Sequence, residues 1–241
     1  MTGTRVVSAV FIAALLLSAL LLLPPVWSAA ALSLIILAAA WEWAALVVPG
    51  MAARLLFIGS AVLLSALWWQ ASATPGGLRA VLLAAFACWS VAAVWLFASR
   101  RTSRVLIGGV GLLALSFAWV ALARMRVDWP RGEQAVLYAL LIVWLADSGA
   151  YFAGRRWGNA RLAPQVSPGK TWAGLWGGLA VCALLALGVA AWRSLPVLPL
   201  LAVTLVAGVY SVVGDLTESL AKRFAGVKDS GSLIPGHGGV L

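Results

Sequence analysis

The chain has 241 residues, of which 63% are hydrophobic and 10% are charged, and its formal net charge at pH 7 is +10. Because ordinary soluble domains have about 25% charged residues, this composition excludes a soluble domain and indicates a membrane protein. The two cysteines, Cys88 and Cys182, lie within apolar runs, which is typical of core residues and not of a disulfide framework.

Apolar stretches long enough to cross a membrane recur along the whole sequence. About 20 apolar residues in a helix span the hydrocarbon core. We predict eight such spans, at about residues 6–23, 26–48, 55–69, 78–97, 105–123, 134–153, 172–193 and 196–214. The predicted fold is therefore all-α and polytopic. Its N-terminal transmembrane helices occupy residues 1–130, and a second half, residues 131–241, carries most of the candidate polar chemistry.

The basic residues are distributed unevenly between the two sides of these spans. With the N-terminus placed in the cytoplasm, 12 of the 17 Lys and Arg residues fall on the cytoplasmic side. The other side receives the remaining five, which are Arg79, Arg124, Arg126, Arg131 and Arg193. This positive-inside bias indicates topology and contact with anionic headgroups, not nucleic-acid binding. It also predicts that the loop 154–171 and the tail 215–241 face the cytoplasm.

Asp147 lies inside the sixth predicted span, where a charged residue needs an explanation. Helical spacing places it on one stripe with Trp144 and Tyr151. An acid in lipid costs about 2.5–3.5 kcal/mol on insertion scales, so we favour a functional role. The alternative is an acid near the interface that snorkels or pairs with Arg155 or Arg156.

Glu42 lies at a similar depth in the second predicted span, between two tryptophans. The simpler interpretation is a packing or interface glutamate. The alternative is a polar cavity shared with Asp147 and Asp215, which the topology places on the same side of the membrane.

The segment from Ser167 to Trp172 precedes the seventh span and has a partial likeness to a phosphate-binding P-loop. That motif needs a glycine five residues before Gly169, and Pro164 stands there, so a classical nucleotide-binding loop is excluded. A glycine-lysine turn at a helix N-terminus still offers backbone N–H groups and the ammonium of Lys170 to a phosphate. A plain helix start is the alternative.

The tail from Asp215 onward contains three of the seven acidic residues and the only histidine, His237. If it is helical, Asp215, Glu218, Ser219 and Lys222 share one face. Hard oxygen ligands beside Lys and Arg are typical of a site for a Mg²⁺-bound polyphosphate. The glycine-rich turn 235–239 allows close backbone approach to a ligand. The alternative is a basic amphipathic helix that lies on anionic lipid.

The tail resembles the signature of the phosphatidate cytidylyltransferases, also called CDP-diacylglycerol synthases. The matching residues are Ser219, Lys222-Arg223, Lys228-Asp229 and Ile234-Pro235-Gly236-His237-Gly238-Gly239. The stripe that contains Asp147, the loop 167–172 and the Gly214-Asp215 pair also resemble this family. The specific resemblance covers about residues 140–241, and the earlier part matches only in its hydropathy pattern.

The resemblance implies that the phosphate of phosphatidate attacks the α-phosphorus of CTP, giving CDP-diacylglycerol and pyrophosphate for phospholipid synthesis. It implies a multi-pass protein of the cell inner (plasma) membrane with a cytoplasmic active site, and it leaves a homodimer open. It implies Mg²⁺, with a second metal ion in some members, and Asp215 as a metal ligand. The catalytic residues that it implies are Asp215, Lys222, Arg223, Lys228, Asp229 and His237. The substrate-binding residues are Asp147, Tyr151, Ser167, Gly169, Lys170, Thr171, Ser219, Gly236, Gly238 and Gly239.

The family signature continues after the paired glycines and two further residues into Asp-Arg-x-Asp, and the printed chain stops there, at Leu241. We therefore expect the protein to continue past Leu241, because the family's metal site also uses an aspartate of that segment. The chain as given would then lack part of the site and be inactive.

Two alternatives remain open at this point. One is a related CTP-using lipid transferase or kinase of the membrane. The other is an ion-coupled transporter that uses Glu42, Asp147 and Asp215. A transporter predicts acids spread through the membrane depth and often inverted repeats, whereas these acids cluster on one side and no repeat is evident.

Overall fold

The computed structural model describes residues 2–98, 102–231, 233 and 238–240. In these residues the chain forms eight helices and one small sheet. The helices are α1 (Thr2–Leu22), α2 (Pro25–Val47), α3 (Met51–Ala71), α4 (Pro75–Ala98), α5 (Arg104–Asp128), α6 (Gly132–Trp157), α7 (Trp172–Arg193) and α8 (Val197–Phe224). The strands are β1 (Arg161–Ala163) and β2 (Ser167–Thr171).

The predicted all-α polytopic architecture is confirmed. In the part of the chain that the structure describes, the seven helices α2 to α8 are long and apolar enough to cross a membrane. The apolar part of α1 that is described, Val10–Leu22, is shorter. The last helix extends to Phe224, well beyond the predicted end of its span at residue 214.

Proline, glycine and a capping serine set several helix boundaries. Pro25 occupies the first turn of α2, where its missing N–H leaves no helical hydrogen bond unmade. Gly50 precedes α3 with a φ of 78°, a left-handed conformation that favours glycine. Ser103 caps α5 by accepting a hydrogen bond from the N–H of Leu106 at 3.2 Å.

The chain divides into two compact units. The first comprises Met1–Leu137 together with Ala221–Leu241, and the second comprises Tyr138–Leu220. In the first unit α2, α3 and α5 pack against one another, and the indole of Trp43 donates a hydrogen bond to the carbonyl of Ile107 at 3.1 Å. The tail after α8 is therefore part of the unit that contains the N-terminal helices.

The second unit contains an antiparallel ribbon that the sequence analysis did not predict, because it treated residues 154–171 as a loop. Strands β1 and β2 pair with Arg161 opposite Thr171 and Ala163 opposite Ser167. The guanidinium of Arg161 also donates to the carbonyl of Pro168 at 2.7 Å. The ribbon leads directly into α7 and so fixes the segment that carries Lys170.

Small residues bring α6 and α7 into backbone contact within the second unit. A Cβ atom on Gly178 would lie 2.6 Å from the carbonyl oxygen of Ala146, and one on Gly174 would lie 2.9 Å from that of Ala150. A Cβ atom on Gly149 would lie 2.9 Å from the carbonyl oxygen of Gly177. Close approach through small residues is common between membrane helices. It places Asp147 of α6 beside the start of α7.

Candidate active site

Lys170 contacts two carboxylates in the second unit. Its Nζ lies 2.8 Å from Oδ2 of Asp215 on α8 and 3.6 Å from Oδ1 of Asp147 on α6. The three side chains come from three separate elements, since Lys170 belongs to β2. The side chains remain accessible, with exposed fractions of 26% for Lys170, 39% for Asp215 and 56% for Asp147.

The charge state of Lys170 follows from this arrangement. Burial alone would lower the pKa of the ammonium, because a low dielectric disfavours the charged form. The attraction and hydrogen bond of Asp215, followed by those of Asp147, outweigh burial and raise the pKa above its ordinary value. Lys170 is therefore a fixed positive charge at neutral pH.

These three residues line an open cavity of about 500 Å³. The cavity is lined by both polar and apolar residues. Tyr151, Arg155, Ser167 and Thr171 contribute polar side chains. The apolar part is formed by Ala150, Leu162, Leu175 and Val212. A cavity of this size, with few polar groups and much apolar surface, is typical of small-molecule sites.

The stripe of α6 that the sequence analysis identified does face this cavity. Asp147 and Tyr151 both line it. Asp147 pairs with Lys170, and Arg155 instead donates a hydrogen bond to the hydroxyl of Tyr151 at 3.1 Å. The alternative in which Asp147 pairs with Arg155 is therefore not what the structure shows.

The start of α7 has fewer free N–H groups than the sequence analysis assumed. Thr171 is the N-cap, and its Oγ1 accepts a hydrogen bond from the N–H of Gly174 at 3.1 Å. The N–H of Trp172 donates to the carbonyl of Ala160 at 3.0 Å. Two of the N–H groups at this helix end are thus already used, so Lys170 is the stronger candidate for contact with a phosphate.

A second acidic centre lies in the first unit. Glu42 of α2 is 1% exposed, and its Oε2 accepts hydrogen bonds from Ser230 Oγ and from the N–H of Val240, both at 2.8 Å. A Cβ atom on Gly231 or Gly239 would collide with the Glu42 carboxylate. Glu42 therefore holds the glycine-rich tail, a contact that neither interpretation from the sequence anticipated.

The tail glycines approach carboxylates of the protein itself. Gly238 and Gly239 have φ values of 84° and 136°, which strain residues other than glycine. A Cβ atom on Gly238 would lie 2.7 Å from the carboxylate carbon of Asp229. The N–H of Gly231 donates to the carbonyl of Gly238 at 2.9 Å and closes the turn.

The predicted site residues fall into three groups. The group that lines the cavity in the second unit comprises Asp147, Tyr151, Ser167, Gly169, Lys170, Thr171 and Asp215. Ser219 also belongs to that unit, on α8, and the residues that belong to the first unit are Lys222, Arg223, Lys228, Asp229, Gly238 and Gly239. Gly236 and His237 lie outside the described residues.

Seven residues that line the cavity were not among the predicted site residues, namely the four apolar ones named above together with Gly154, Arg155 and Gly174. Arg155 had been considered only as a partner of Asp147, and Gly154 and Gly174 had not been considered. The glycines had a visible signal, since small residues recur at helical spacing in both α6 and α7.

Comparison with known proteins decides the family. A sequence model of the cytidylyltransferase family matches residues 3–241. The chain belongs to the cytidylyltransferase family. The resemblance inferred from the motifs is thus confirmed, and the match extends through the N-terminal helices that carried no motif.

Several relatives of this chain are named phosphatidate cytidylyltransferase. The protein of that name from Pseudomonas aeruginosa is 36% identical over 250 residues, covering 100% of this chain and 91% of the relative. The one from Haemophilus influenzae is 36% identical over 276 residues, covering 100% of this chain and 93% of the relative. A shorter match, to the Bacillus subtilis protein, is 44% identical over 112 residues, covering 46% of this chain and 42% of the relative.

The carboxylates of this cavity suit a metal ion that is also bound by a ligand. No group of three or more His, Cys, Asp or Glu side chains within the described ranges could hold a metal alone. Asp147 and Asp215 supply two carboxylates beside Lys170. Mg²⁺ is commonly bound by one or two carboxylates together with phosphate oxygens and waters. The residues therefore fit Mg²⁺ with a polyphosphate and do not form a closed metal cage.

Proposed function

We propose that this protein transfers the cytidylyl group of CTP to phosphatidate at the cavity of Asp147, Lys170 and Asp215. The products are CDP-diacylglycerol and pyrophosphate. The observation that carries the proposal is the lysine held by two carboxylates in an open cavity, in a chain that belongs to the cytidylyltransferase family. The names of the full-length relatives supply the substrate pair.

The reaction joins two anions, so the site must neutralise charge before the atoms meet. A phosphate oxygen of phosphatidate forms a bond to the α-phosphorus of CTP, and the bond from that phosphorus to the bridging oxygen of the β-phosphate breaks. Pyrophosphate leaves with the electron pair of the broken bond. Because the attacking phosphate is already ionised, no strong general base is needed. Positioning and electrostatic stabilisation are the main requirements, as in other phosphoryl transfers.

Lys170 supplies the permanent positive charge in this scheme. Its raised pKa keeps the ammonium protonated, and its two carboxylate contacts fix where the charge points. An ammonium placed in this way can donate to the triphosphate or to the lipid phosphate once the substrates are bound. Arg155 adds a second cation at the same cavity wall, where Tyr151 accepts its hydrogen bond.

We further propose Mg²⁺ as the cofactor, with Asp215 as its main protein ligand and Asp147 beside it. A bound Mg²⁺ would neutralise and orient the triphosphate. Two carboxylates around Lys170 favour this assignment, because they exceed what one ammonium needs for charge balance. When the triphosphate enters, Lys170 can shift from the carboxylates to the phosphates.

The membrane setting fits an amphiphilic acceptor. Seven helices of the described part are apolar and long enough to span a bilayer, and the cavity is lined by apolar as well as polar residues. Acyl chains can remain in lipid while the phosphate reaches Lys170. The excess of basic residues on the side of loop 154–171 supports a cavity that faces the cytoplasm, in the cell inner membrane.

The proposal is tested with the purified full-length protein reconstituted in phosphatidylcholine vesicles that contain phosphatidate. We expect pyrophosphate release that requires CTP, phosphatidate and Mg²⁺ together, and that stops when EDTA is added. Omitting each component in turn provides the controls. Release that does not exceed the level of protein-free vesicles would contradict the proposal.

A further inference from the structure

A second cavity, of about 420 Å³, lies within the first unit. Its walls are the end of α2 with the following turn, residues 45–49, and the side chains of Arg54 from α3 and Arg104 from α5. The tail closes another side through Asp229 and Ser230. Two guanidinium groups and one carboxylate therefore face this cavity, which leaves it with a net positive charge.

The two arginines lack anionic partners in the part of the chain that the structure describes. The Nε of Arg54 is buried and has no hydrogen-bond acceptor there, and its guanidinium carbon lies 5.8 Å from the ring centre of Trp41. Neither Arg54 nor Arg104 forms an ion pair with a described residue. Asp229 lines the same cavity but packs against Gly238 instead. A buried N–H without an acceptor is unfavourable, so the Nε of Arg54 favours an external anion in this cavity.

The arginines at the other end of α5 provide an internal comparison. Arg124 donates to Ser72 Oγ at 3.0 Å and to the carbonyl of Trp69 at 2.6 Å, and it pairs with Asp128 at 2.8 Å. Arg126 is 6% exposed, and its Nε, like that of Arg54, has no acceptor among the described residues. Its other guanidinium nitrogens donate to the carbonyl of Leu23 at 2.9 Å and pair with Glu133 at 3.7 Å. These guanidinium groups serve the fold.

Arg104 lies about 30 Å from Arg124 along the same helix, at a rise of 1.5 Å per residue. It is solvent-exposed and has no such set of acceptors in the described residues. At one end of α5 both arginines therefore have an acidic partner within the fold, whereas the cavity-facing Arg104 has none among the described residues.

The backbone adds to the attraction for an anion. Both α3 and α5 begin at this cavity, since Arg54 is in the first turn of α3 and Arg104 is the first residue of α5. Helix N-termini carry partial positive charge, which supplements the two guanidinium groups. The cavity itself is within the range of volumes that small-molecule sites have.

We propose that Arg54 and Arg104 bind the phosphate group of an anionic ligand in this cavity. Guanidinium groups match phosphate oxygens with paired hydrogen bonds, so two of them define a specific phosphate site. The phosphate can come from a lipid headgroup or from a free phosphate. This inference goes beyond the proposed function, because it concerns another cavity and can be tested without CTP or turnover.

The test measures binding to the detergent-purified protein by isothermal titration calorimetry. The probes are dioctanoyl phosphatidate, inorganic phosphate and, as a zwitterionic control, dioctanoyl phosphatidylcholine. All titrations are made in a Lys170→Met background, so that binding at the other cavity does not contribute. We expect at least one of the two anions to bind, and phosphatidylcholine to bind at least tenfold more weakly or not at all. Binding of phosphatidate alone identifies a lipid headgroup site, and comparable binding of inorganic phosphate identifies a free-phosphate site.

Substitutions locate the binding. Arg54→Gln and Arg104→Gln should each weaken it about tenfold, as the loss of a charge-assisted hydrogen bond predicts. Arg79→Gln removes the same charge from an exposed position of the first unit outside the cavity and should leave affinity unchanged. Arg54→Lys keeps the positive charge and should bind the anion more tightly than Arg54→Gln does. Such a recovery would show that the loss in Arg54→Gln comes from the missing charge and not from misfolding.

Two outcomes overturn the proposal. One is that neither anion binds to protein that elutes as a single species from size-exclusion chromatography. The other is that Arg79→Gln weakens binding as much as the two cavity substitutions do. If Arg54→Gln aggregates, the test uses Arg104→Gln instead, because Arg104 is exposed and its substitution should not disturb folding.

Discussion

Asp215 and Glu42 are both carboxylates on apolar helices, but their surroundings differ. The Asp215 side chain is 39% exposed, lines an open cavity and contacts the ammonium of Lys170 at 2.8 Å. Glu42 is 1% exposed and accepts hydrogen bonds from a serine hydroxyl and a backbone N–H of the tail. The first arrangement leaves part of the side chain accessible to a ligand, whereas the second uses the carboxylate to hold a segment of the chain.

This difference in exposure indicates different roles, with Asp215 suited to binding a ligand and Glu42 suited to fixing the tail. A carboxylate that must bind a substrate-borne cation needs accessible oxygen atoms and a partner that can move away. A carboxylate that fixes a loop needs burial, because burial makes each hydrogen bond to it costly to break. Asp215 should therefore control turnover with little effect on folding, and Glu42 should control the order of the tail.

The largest effect should come from Asp215→Asn. It removes the charge that we assign to Mg²⁺ and to Lys170, and it should lower CTP-dependent turnover by about 100-fold or more, as the loss of one key electrostatic group does. The measurement is pyrophosphate release in phosphatidate-containing vesicles. Asp128→Asn is the matched control, since Asp128 is 41% exposed in an ion pair with Arg124 outside the cavity. Equal turnover in the two variants would show that Asp215 is not part of the active site.

Lys170→Met should have the next largest effect. It removes the ammonium that contacts Asp147 and Asp215, and turnover should fall by about 10- to 100-fold, the range expected for hydrogen bonds to charged groups. Initial rates measured over a range of CTP concentrations would show whether KM, kcat or both change. Lys170→Arg keeps a cation and should recover part of the activity. If Lys170→Met keeps wild-type kinetics, the lysine does not contact a reacting phosphate.

Glu42→Ala should loosen the tail. It deletes the acceptor of two 2.8 Å hydrogen bonds, and the free energy of local opening around Ser230 and Val240 should fall by about 2–4 kcal/mol. Hydrogen exchange followed by mass spectrometry measures this opening. Glu42→Gln retains an acceptor oxygen and should show a smaller change.

The control for this prediction is Glu133→Gln. Glu133 is an acid of the same unit that pairs with Arg126 at 3.7 Å. Unchanged exchange of the tail in Glu42→Ala, or an equal change in Glu133→Gln, would show that Glu42 does not hold the tail.

The smallest effect should come from Tyr151→Phe. The hydroxyl accepts one hydrogen bond from Arg155 at 3.1 Å, and the side chain is 58% exposed. Exposed contacts of this kind contribute little, so turnover should change by less than about threefold. A loss comparable to that of Lys170→Met would assign the Tyr151 hydroxyl a direct contact with substrate.

The fold was predictable from the sequence because membrane spans need only length and hydropathy. The predicted span ends at residue 214 because residues 215–224 are polar on one face, which lowers their hydropathy. The structure shows that the same helix, α8, continues to Phe224, in agreement with the helical tail that the sequence analysis considered. The ribbon of β1 and β2 was missed because Ser167–Thr171 contains proline and glycine and does not alternate polar and apolar residues.

The individual residues of the candidate site could be predicted from the sequence, but their contacts with one another could not. Asp147, Lys170 and Asp215 each stood out as charges at the edges of apolar runs. Their meeting depends on the close contact of α6 and α7 through glycines, which hydropathy does not reveal. The contact of Glu42 with Ser230 joins residues 188 positions apart, and no local pattern indicates a pairing at that range.

The most direct measurement follows the position of the radiolabel when CTP carries ³²P at either the α- or the γ-phosphate. The account predicts that α-label enters the chloroform-soluble lipid when phosphatidate is present, while γ-label appears only in pyrophosphate. Entry of γ-label into lipid would contradict the account and indicate a lipid kinase. Absence of both labels from lipid, with correctly folded protein and Mg²⁺ present, would contradict cytidylyl transfer to phosphatidate altogether.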